Sequence, residues 1–177
     1  SDLIGGGDWS PNRIIPDCIT NFLQNKPVQI RHPNAIRPFQ YVLEPISGIL
    51  CLAEKMWKNE SFDESWNIGP LVNDTPQRIH KIVEKIIIKW GTGTWKDVSE
   101  QKSFKESNLL LLNSQKAQSR LKWYPVFNID NAISETVNWY KKYYNNSEEI
   151  ESYSENCINS YVNKAKKMKI EWASENN

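Results

Sequence analysis

Three arginines among the first forty residues carry the side chains best suited to holding a charged ligand. Arg13, Arg31 and Arg37 fall in predicted loops or at the ends of predicted helices and strands. An arginine presents a planar fork of N–H donors that can grip two oxygens of one phosphate. Pro38 favours extended backbone at Arg37 and so restricts where its guanidinium can point. The residues alone leave two interpretations open, a phosphate-binding site or three solvated surface arginines.

One asparagine also falls where a ligand could lie. Asn67 follows Trp66 at the end of a predicted strand, and open α/β sheets bind ligands at the carboxyl ends of their strands. A role in a turn fits Asn67 equally well.

Other catalytic devices have little material in this sequence. His32 and His80 are the only histidines, too few for a multi-histidine metal site, and no metal site is predicted. The glycine run 5–7 lacks the following lysine and hydroxyl residue of a phosphate-binding P-loop. The pair Gly91 and Gly93 lacks the third glycine of a dinucleotide fingerprint, so it predicts the end of a helix.

Alternating short strands and amphipathic helices must position these residues, which predicts an α/β chain. The helices are predicted over about 13–25, over about fifteen residues from Glu44, from Thr75 to Gly91, after Ser114 and after Asp130. The strands are predicted at residues 1–4, Val28–Ile30, Phe39–Leu43, Ser65–Ile68, Trp95–Val98 and Leu109–Leu112. After a polar break at 145–147, apolar residues at helical spacing predict a docked terminal helix.

Composition narrows the class further. The chain has 177 residues, with 22 Lys+Arg against 21 Asp+Glu and a net charge of +1. This balance gives no electrostatic reason to expect a nucleic-acid or acidic-membrane partner. No apolar run is long enough for a transmembrane helix. The three scattered cysteines (Cys18, Cys51 and Cys157) predict buried thiols in a reducing cytoplasm rather than a disulfide framework.

Several longer motifs then make a family resemblance visible. They are residues 5–9 (GGGDW), 13–18 (RIIPDC), 34–45 (NAIRPFQYVLEP), 52–55 (LAEK), 66–70 (WNIGP), 121–125 (LKWYP) and 136–140 (TVNWY). Together they resemble the C-terminal half of CDP-glucose 4,6-dehydratases, a branch of the extended short-chain dehydrogenase/reductase family of nucleotide-sugar enzymes. The resemblance covers residues 1–145 well and the tail more loosely.

The resemblance implies a mixed α/β fold and an NAD-dependent lyase. In such an enzyme NAD oxidises C4 of the sugar, water leaves across C5–C6, and the hydride returns to C6. The product, CDP-4-keto-6-deoxyglucose, is a precursor of sugars in bacterial surface polysaccharide. Residues 1–145 would form a substrate domain that starts with the end of the Rossmann part, and residues 146–177 a helical tail.

Site residues follow from the resemblance position by position. Arg37 matches the pyrophosphate-binding arginine, while Arg13 and Ile14 match residues over the nucleotide. The remaining matches are Ile30 and Arg31 beside the base and ribose, Asn67 near the phosphates, and Glu106, which follows a histidine in the family. In three places the sequence departs from the pattern. Asp2 replaces an asparagine that faces the phosphates, Lys105 replaces that histidine, and Lys122 replaces a glycine.

The family's NAD-binding fingerprint and its Tyr-x-x-x-Lys catalytic pair would precede Ser1. The expectation is therefore a chain without catalytic or cofactor-binding residues, inactive alone, whose partners are a CDP-sugar and an N-terminal Rossmann domain. The parent protein is expected to be a homo-oligomer. The open alternatives are another nucleotide-sugar dehydratase or epimerase of the same family, or a degenerate module without activity.

Overall fold

Four short strands form two separate parallel pairs in the computed structural model, which describes residues 2–58, 60–71, 76–99 and 108–174. Strand β1 (Leu3–Ile4) pairs with β3 (Gln40–Tyr41), with Leu3 opposite Gln40. Strand β2 (Val28–Ile30) pairs with β4 (Trp95–Asp97), with Val28 opposite Trp95. The strands predicted around residues 3, 28, 40 and 95 are therefore confirmed, some of them shorter than predicted.

Within the described residues, five α-helices pack around these pairs. They are α1 (Ile14–Leu23), α2 (Leu43–Lys58), α3 (Ile79–Trp90), α4 (Ile129–Asn145) and α5 (Ile150–Lys167). Single turns of 3-10 helix lie at Glu60–Phe62, Ser147–Glu149 and Glu171–Ala173, and a π-helical turn at Ala117–Leu121. The prediction of a mixed α/β chain is confirmed.

The main core lies where α1, α3, α4 and α5 meet the strands. Cys18 and Ile19 of α1, Val83 of α3 and Val137 of α4 are fully buried in it. Tyr161 of α5 is buried in the same cluster, so the terminal helix docks as predicted. A smaller cluster packs Trp123 against Cys51 of α2.

A buried carboxylate joins three elements behind the core. Glu44, in the first turn of α2, is fully buried and accepts hydrogen bonds from the backbone N–H groups of Val126 (3.0 Å) and Phe127 (2.7 Å). The Tyr161 hydroxyl of α5 donates a third, at 2.7 Å. Burial raises the pKa of Glu44 above its ordinary value, and the two backbone N–H groups oppose that shift.

Two predicted strands are wrong. Residues 65–68 have no regular structure, because side chains take the bonds that a ladder would make: Gln40 Nε2 donates to the Ile68 carbonyl at 3.1 Å, and Lys116 Nζ to the Ser65 carbonyl at 2.8 Å. Residues 109–112 contribute only an isolated bridge from Leu109 to Ile36. Neither segment forms a strand ladder with the described residues, although Leu109 bridges to Ile36.

Helix starts also differ from prediction. The side chain of Asn128, not Asp130, caps α4 by accepting from the Asn131 N–H at 2.9 Å. Helix α3 begins at Ile79, because its first N–H groups donate to the carbonyls of Ala35 (2.9 Å) and Pro33 (3.0 Å). Thr75, the predicted start, lies outside the described residues.

The thiols of Cys18 and Cys51 are buried as predicted, and Cys157 is half-buried. All three are free. Among the described helices, none combines the length and apolar character needed to cross a membrane.

Candidate functional site

A cleft of about 700 Å³ opens between the start of α1, the end of β2 and the segment that leads into β3. Its walls include Arg13 and Ile14 from α1, Ile30 and Arg31 from β2 and its exit, and Arg37 from the loop before β3. The loop after β1 closes one side through Gly5 and Asp8. Residues far apart in the sequence therefore meet around one space large enough for a nucleotide-sized ligand.

The amino-terminal end of α1 gives this cleft its anion-binding character. Arg13 is the N-cap residue in an extended conformation, and no side chain caps the helix there. Pro16 lacks an N–H, and the Asp17 N–H is the first that closes onto the helix, donating to the Arg13 carbonyl at 3.0 Å. Residues 14 and 15 line the cleft, so unpaired first-turn N–H groups and the positive helix end face it.

The three arginines surround that helix end with different degrees of exposure. Arg13 is exposed, and its Nε lies 3.9 Å from Oδ2 of Asp8. Arg31 is exposed directly after β2, whereas Arg37 is half-buried and donates to the Ile36 carbonyl at 3.0 Å. These donors converge on one volume, which is the arrangement that a diphosphate needs.

Three aspartates line the same cleft and balance the arginine charges. They are Asp2, Asp8 and Asp17. Burial raises the pKa of Asp17, and both the Asn12 backbone N–H and the nearby charge of Arg31 oppose that rise. A cleft with balanced formal charge and an oriented helix end binds an anion by directed hydrogen bonds more than by net attraction.

The structure brings together six residues that the sequence nominated: Asp2, Arg13, Ile14, Ile30, Arg31 and Arg37 all line the cleft. Asn67 does not; it is exposed on the irregular segment 65–69. Lys105 and Glu106 lie outside the described residues. The binding roles assigned to all nine positions stay predictions.

Two of the sequence motifs, residues 5–9 and 136–140, contact each other and fix one wall of the cleft. A Cβ added to Gly6 would lie 2.0 Å from the Trp139 ring, so only glycine fits beneath that side chain. Trp9 packs edge-on against Tyr140, with ring centroids 5.2 Å apart. The Tyr140 hydroxyl donates to the Asp8 carbonyl. The GGGDW loop is therefore fixed by α4, and Asp8 with it.

Sequence reasoning missed the polar side chains farther along the cleft, namely Asn12, Asp17, Asn21, Gln29 and His32. One signal could have found two of them. Residues 13, 17 and 21 are spaced by four, which places them on one face of a helix. That face begins at the arginine already singled out.

The described glycines have close packing contacts or end a helix. Gly5 and Gly6 pack closely against Val42 and Trp139. Gly91 has φ 101° and ends α3 in a left-handed conformation, as predicted for a helix stop.

Known structures share this fold. UDP-glucuronic acid 4-epimerase from Bacillus cereus, in complex with UDP-glucuronic acid and NAD, superposes with a TM-score of 0.67 at 20% identity, over 80% of this chain and 43% of that one. dTDP-glucose 4,6-dehydratase from Bacillus anthracis, in complex with NAD, gives a TM-score of 0.65 at 23% identity, over the same two shares. The fold is that of the C-terminal portion of extended short-chain dehydrogenase/reductase enzymes.

A particular enzyme matches in sequence. CDP-glucose 4,6-dehydratase of Salmonella typhimurium is 36% identical over 141 residues, which are 79% of this chain and 39% of that enzyme. No protein-family model matches the sequence. The resemblance seen in the motifs is confirmed by this relative, and the chain spans about two fifths of its length.

Proposed function

We propose that this chain is the substrate-binding, C-terminal portion of an NAD-dependent CDP-glucose 4,6-dehydratase. The observation that carries the proposal is the cleft at the start of α1, where Arg13, Arg31 and Arg37 meet an uncapped helix end. The 36% identity to a CDP-glucose 4,6-dehydratase supplies the substrate. The reaction would convert CDP-glucose to CDP-4-keto-6-deoxyglucose and water.

In this proposal the cleft grips the diphosphate. The N–H groups of Ile14 and Ile15 would donate to phosphate oxygens, and the fork of Arg37 would bind two oxygens on the opposite side. Asp8 already holds Arg13 at the helix end through an ion pair. Anchoring the diphosphate fixes one end of the substrate, which orients the sugar for chemistry done by other groups.

NAD and the catalytic residues would belong to a part of the enzyme outside this chain. Gly5 and Gly6 lie close to Val42 and Trp139, so packing within the chain accounts for glycine at both positions. We propose that the chain alone binds no NAD and turns over no substrate. A cytoplasmic location and a homo-oligomeric parent enzyme stay predictions of the sequence.

An exposed apolar face of α2 would be the contact surface for that other part of the enzyme. Ile46, Ile49, Leu50 and Trp57 recur at helical spacing and are exposed, Trp57 at 90%. Helix α2 follows β3, which within the described residues pairs only with β1. Parallel sheets are normally larger and covered by helices on both faces. We propose that a Rossmann domain extends this sheet and covers the face.

Titration of the chain with nucleotide sugars tests the proposal. Isothermal titration calorimetry with CDP-, dTDP-, UDP- and GDP-glucose is expected to show binding of CDP-glucose, and product analysis with CDP-glucose and NAD to show no turnover. Tighter binding of another nucleotide sugar would favour a different dehydratase or epimerase. Binding of none would favour a degenerate module, and turnover would contradict the placement of catalysis elsewhere.

A further inference from the structure

One face of α1 lies along the cleft and presents three polar side chains of different chemistry in succession. Arg13, Asp17 and Asn21 are spaced by four residues, and all three line the cleft. At 1.5 Å of rise per residue they span about 12 Å, close to the length of an extended nucleoside diphosphate. The face starts with a cation at the helix end and continues with an acceptor-only carboxylate and an amide.

If the proposed function holds, a nucleotide bound at this face has one orientation along α1. Its phosphates would lie at the start of α1 beside Arg13, where the helix end is positive. Its base would then lie one to two turns farther along, beside Asp17 and Asn21. Gln29 and Arg31 line the wall contributed by β2 and its exit, so they would face the base from the other side.

Asp17 lines the cleft near the charge of Arg31, and among the described residues no cation forms an ion pair with its carboxylate within 4.0 Å. Asp17 is half-buried, and the Asn21 amide donates to its backbone carbonyl at 2.8 Å, not to its carboxylate. The Asn12 N–H approaches the carboxylate, which still has further lone pairs to accept with. Asp8 differs, because it faces the Arg13 guanidinium at the phosphate end.

Bases differ at the position that a carboxylate would read. Cytosine presents an N4 amino donor, whereas uracil and thymine present an O4 acceptor there, and Asp accepts well from the cytosine amino group. A carboxylate opposite O4 would place two acceptors together and leave both unpaired. We propose that Asp17 makes this site selective for cytosine nucleotides by accepting a hydrogen bond from N4.

The test compares CDP with UDP by isothermal titration calorimetry on the chain and on Asp17→Asn. The chain is expected to prefer CDP by about tenfold or more. Asp17→Asn is expected to reduce the preference to about threefold or less, because an amide can present either its oxygen or its NH₂. Asp63→Asn, an exposed aspartate outside the cleft, is the matched control and should keep the preference.

A second measurement needs no variant. N4,N4-dimethyl-CDP lacks the N4 donor and is expected to bind the unaltered chain about tenfold more weakly than CDP. Equal affinity for the two compounds, or an unchanged preference in Asp17→Asn, would overturn the role of Asp17 while leaving the proposed function intact. Failure of every nucleotide to bind would overturn both.

Discussion

Glu44 shows how a residue inside a recognisable motif can serve the fold rather than the ligand. It lies in the segment that also contributes Arg37, yet its carboxylate is buried away from the cleft and holds the Val126 and Phe127 N–H groups. Tyr161 completes the arrangement from α5. The same short motif therefore supplies one side chain to the proposed diphosphate site and another to the core.

Glu44→Gln is expected to change how stability depends on pH. The folded protein raises the pKa of Glu44 above its ordinary 4.5, so the stability associated with this group is complete below pH 4.5 and is lost as the pH rises through the folded value. A glutamine has no such loss. Urea denaturation between pH 4.5 and 8 should show the variant gaining stability relative to the unaltered chain as the pH rises.

Glu148→Gln is the control, because Glu148 is exposed, and its difference from the unaltered chain should stay flat. A Glu44→Gln difference that is independent of pH would contradict the raised pKa. If Glu44→Gln instead lost stability relative to the unaltered chain as the pH rises, the pKa of Glu44 would be lowered in the folded protein rather than raised.

Residue types could nominate part of the site from sequence, and the limit has a physical cause. The arginines were recognisable as candidates because a guanidinium fork suits bidentate binding of phosphate. Asp17 was not, since a carboxylate in the first turn of a helix is ordinary on dipole grounds alone. The spacing of residues 13, 17 and 21 could have placed Asp17 on the face of Arg13, but the cleft itself needs the wall contributed by β2.

At the scale of elements, Lys122 has a backbone conformation that disfavours a side chain. It follows the π-helical turn Ala117–Leu121 with φ 55° and ψ 26°, a left-handed conformation. The sequence resemblance places a glycine at this position, which is the residue that ends helices in this way without steric cost.

Lys122→Gly is expected to stabilise the chain by about 0.5–1 kcal/mol, since it removes the contact of Cβ with the backbone. Chemical denaturation would measure the change. Lys89→Gly, inside α3, provides a control of opposite sign and should cost about 1 kcal/mol. Destabilisation by Lys122→Gly would show that the lysine side chain contributes more than the strained backbone takes away.

Elements with a long periodic pattern were predictable, and short apolar runs were not. Apolar residues at helical spacing predict helices α1, α2 and α3. Residues 65–68 and 109–112 carry strand-like composition, but a strand also needs a partner in register, which local sequence does not encode. In residues 65–68, the side chains of Gln40 and Lys116 donate hydrogen bonds to backbone carbonyls that a neighbouring strand would otherwise pair with.

At the scale of the whole molecule, the apolar face of α2 marks a surface that requires a cover. The spacing of its residues predicted only a helix, and the structure leaves Leu50 64% exposed. Contiguous exposed apolar residues indicate a contact with another protein surface. The proposed Rossmann domain meets that requirement, and the proposed division of the chain at residue 145 stays a prediction.

Leu50→Glu is expected to reduce self-association of the isolated chain without unfolding it, because most of the Leu50 side chain is exposed and contributes little to the core. Sedimentation velocity at rising protein concentration would measure this. Ile88→Glu is the matched control, a single apolar residue on α3 that is 80% exposed, and should leave association unchanged. Equal behaviour of both variants would contradict a special role for the α2 face.

We expect this chain to bind a nucleoside diphosphate at the start of α1. The most direct measurement is calorimetric titration of CDP into the chain and into Arg37→Ala, with Arg78→Ala as a control arginine outside the cleft lining. Arg37→Ala is predicted to weaken CDP binding by about tenfold or more, while cytidine, which lacks phosphate, binds weakly to both. Equal CDP affinity for the unaltered chain and Arg37→Ala would contradict the account.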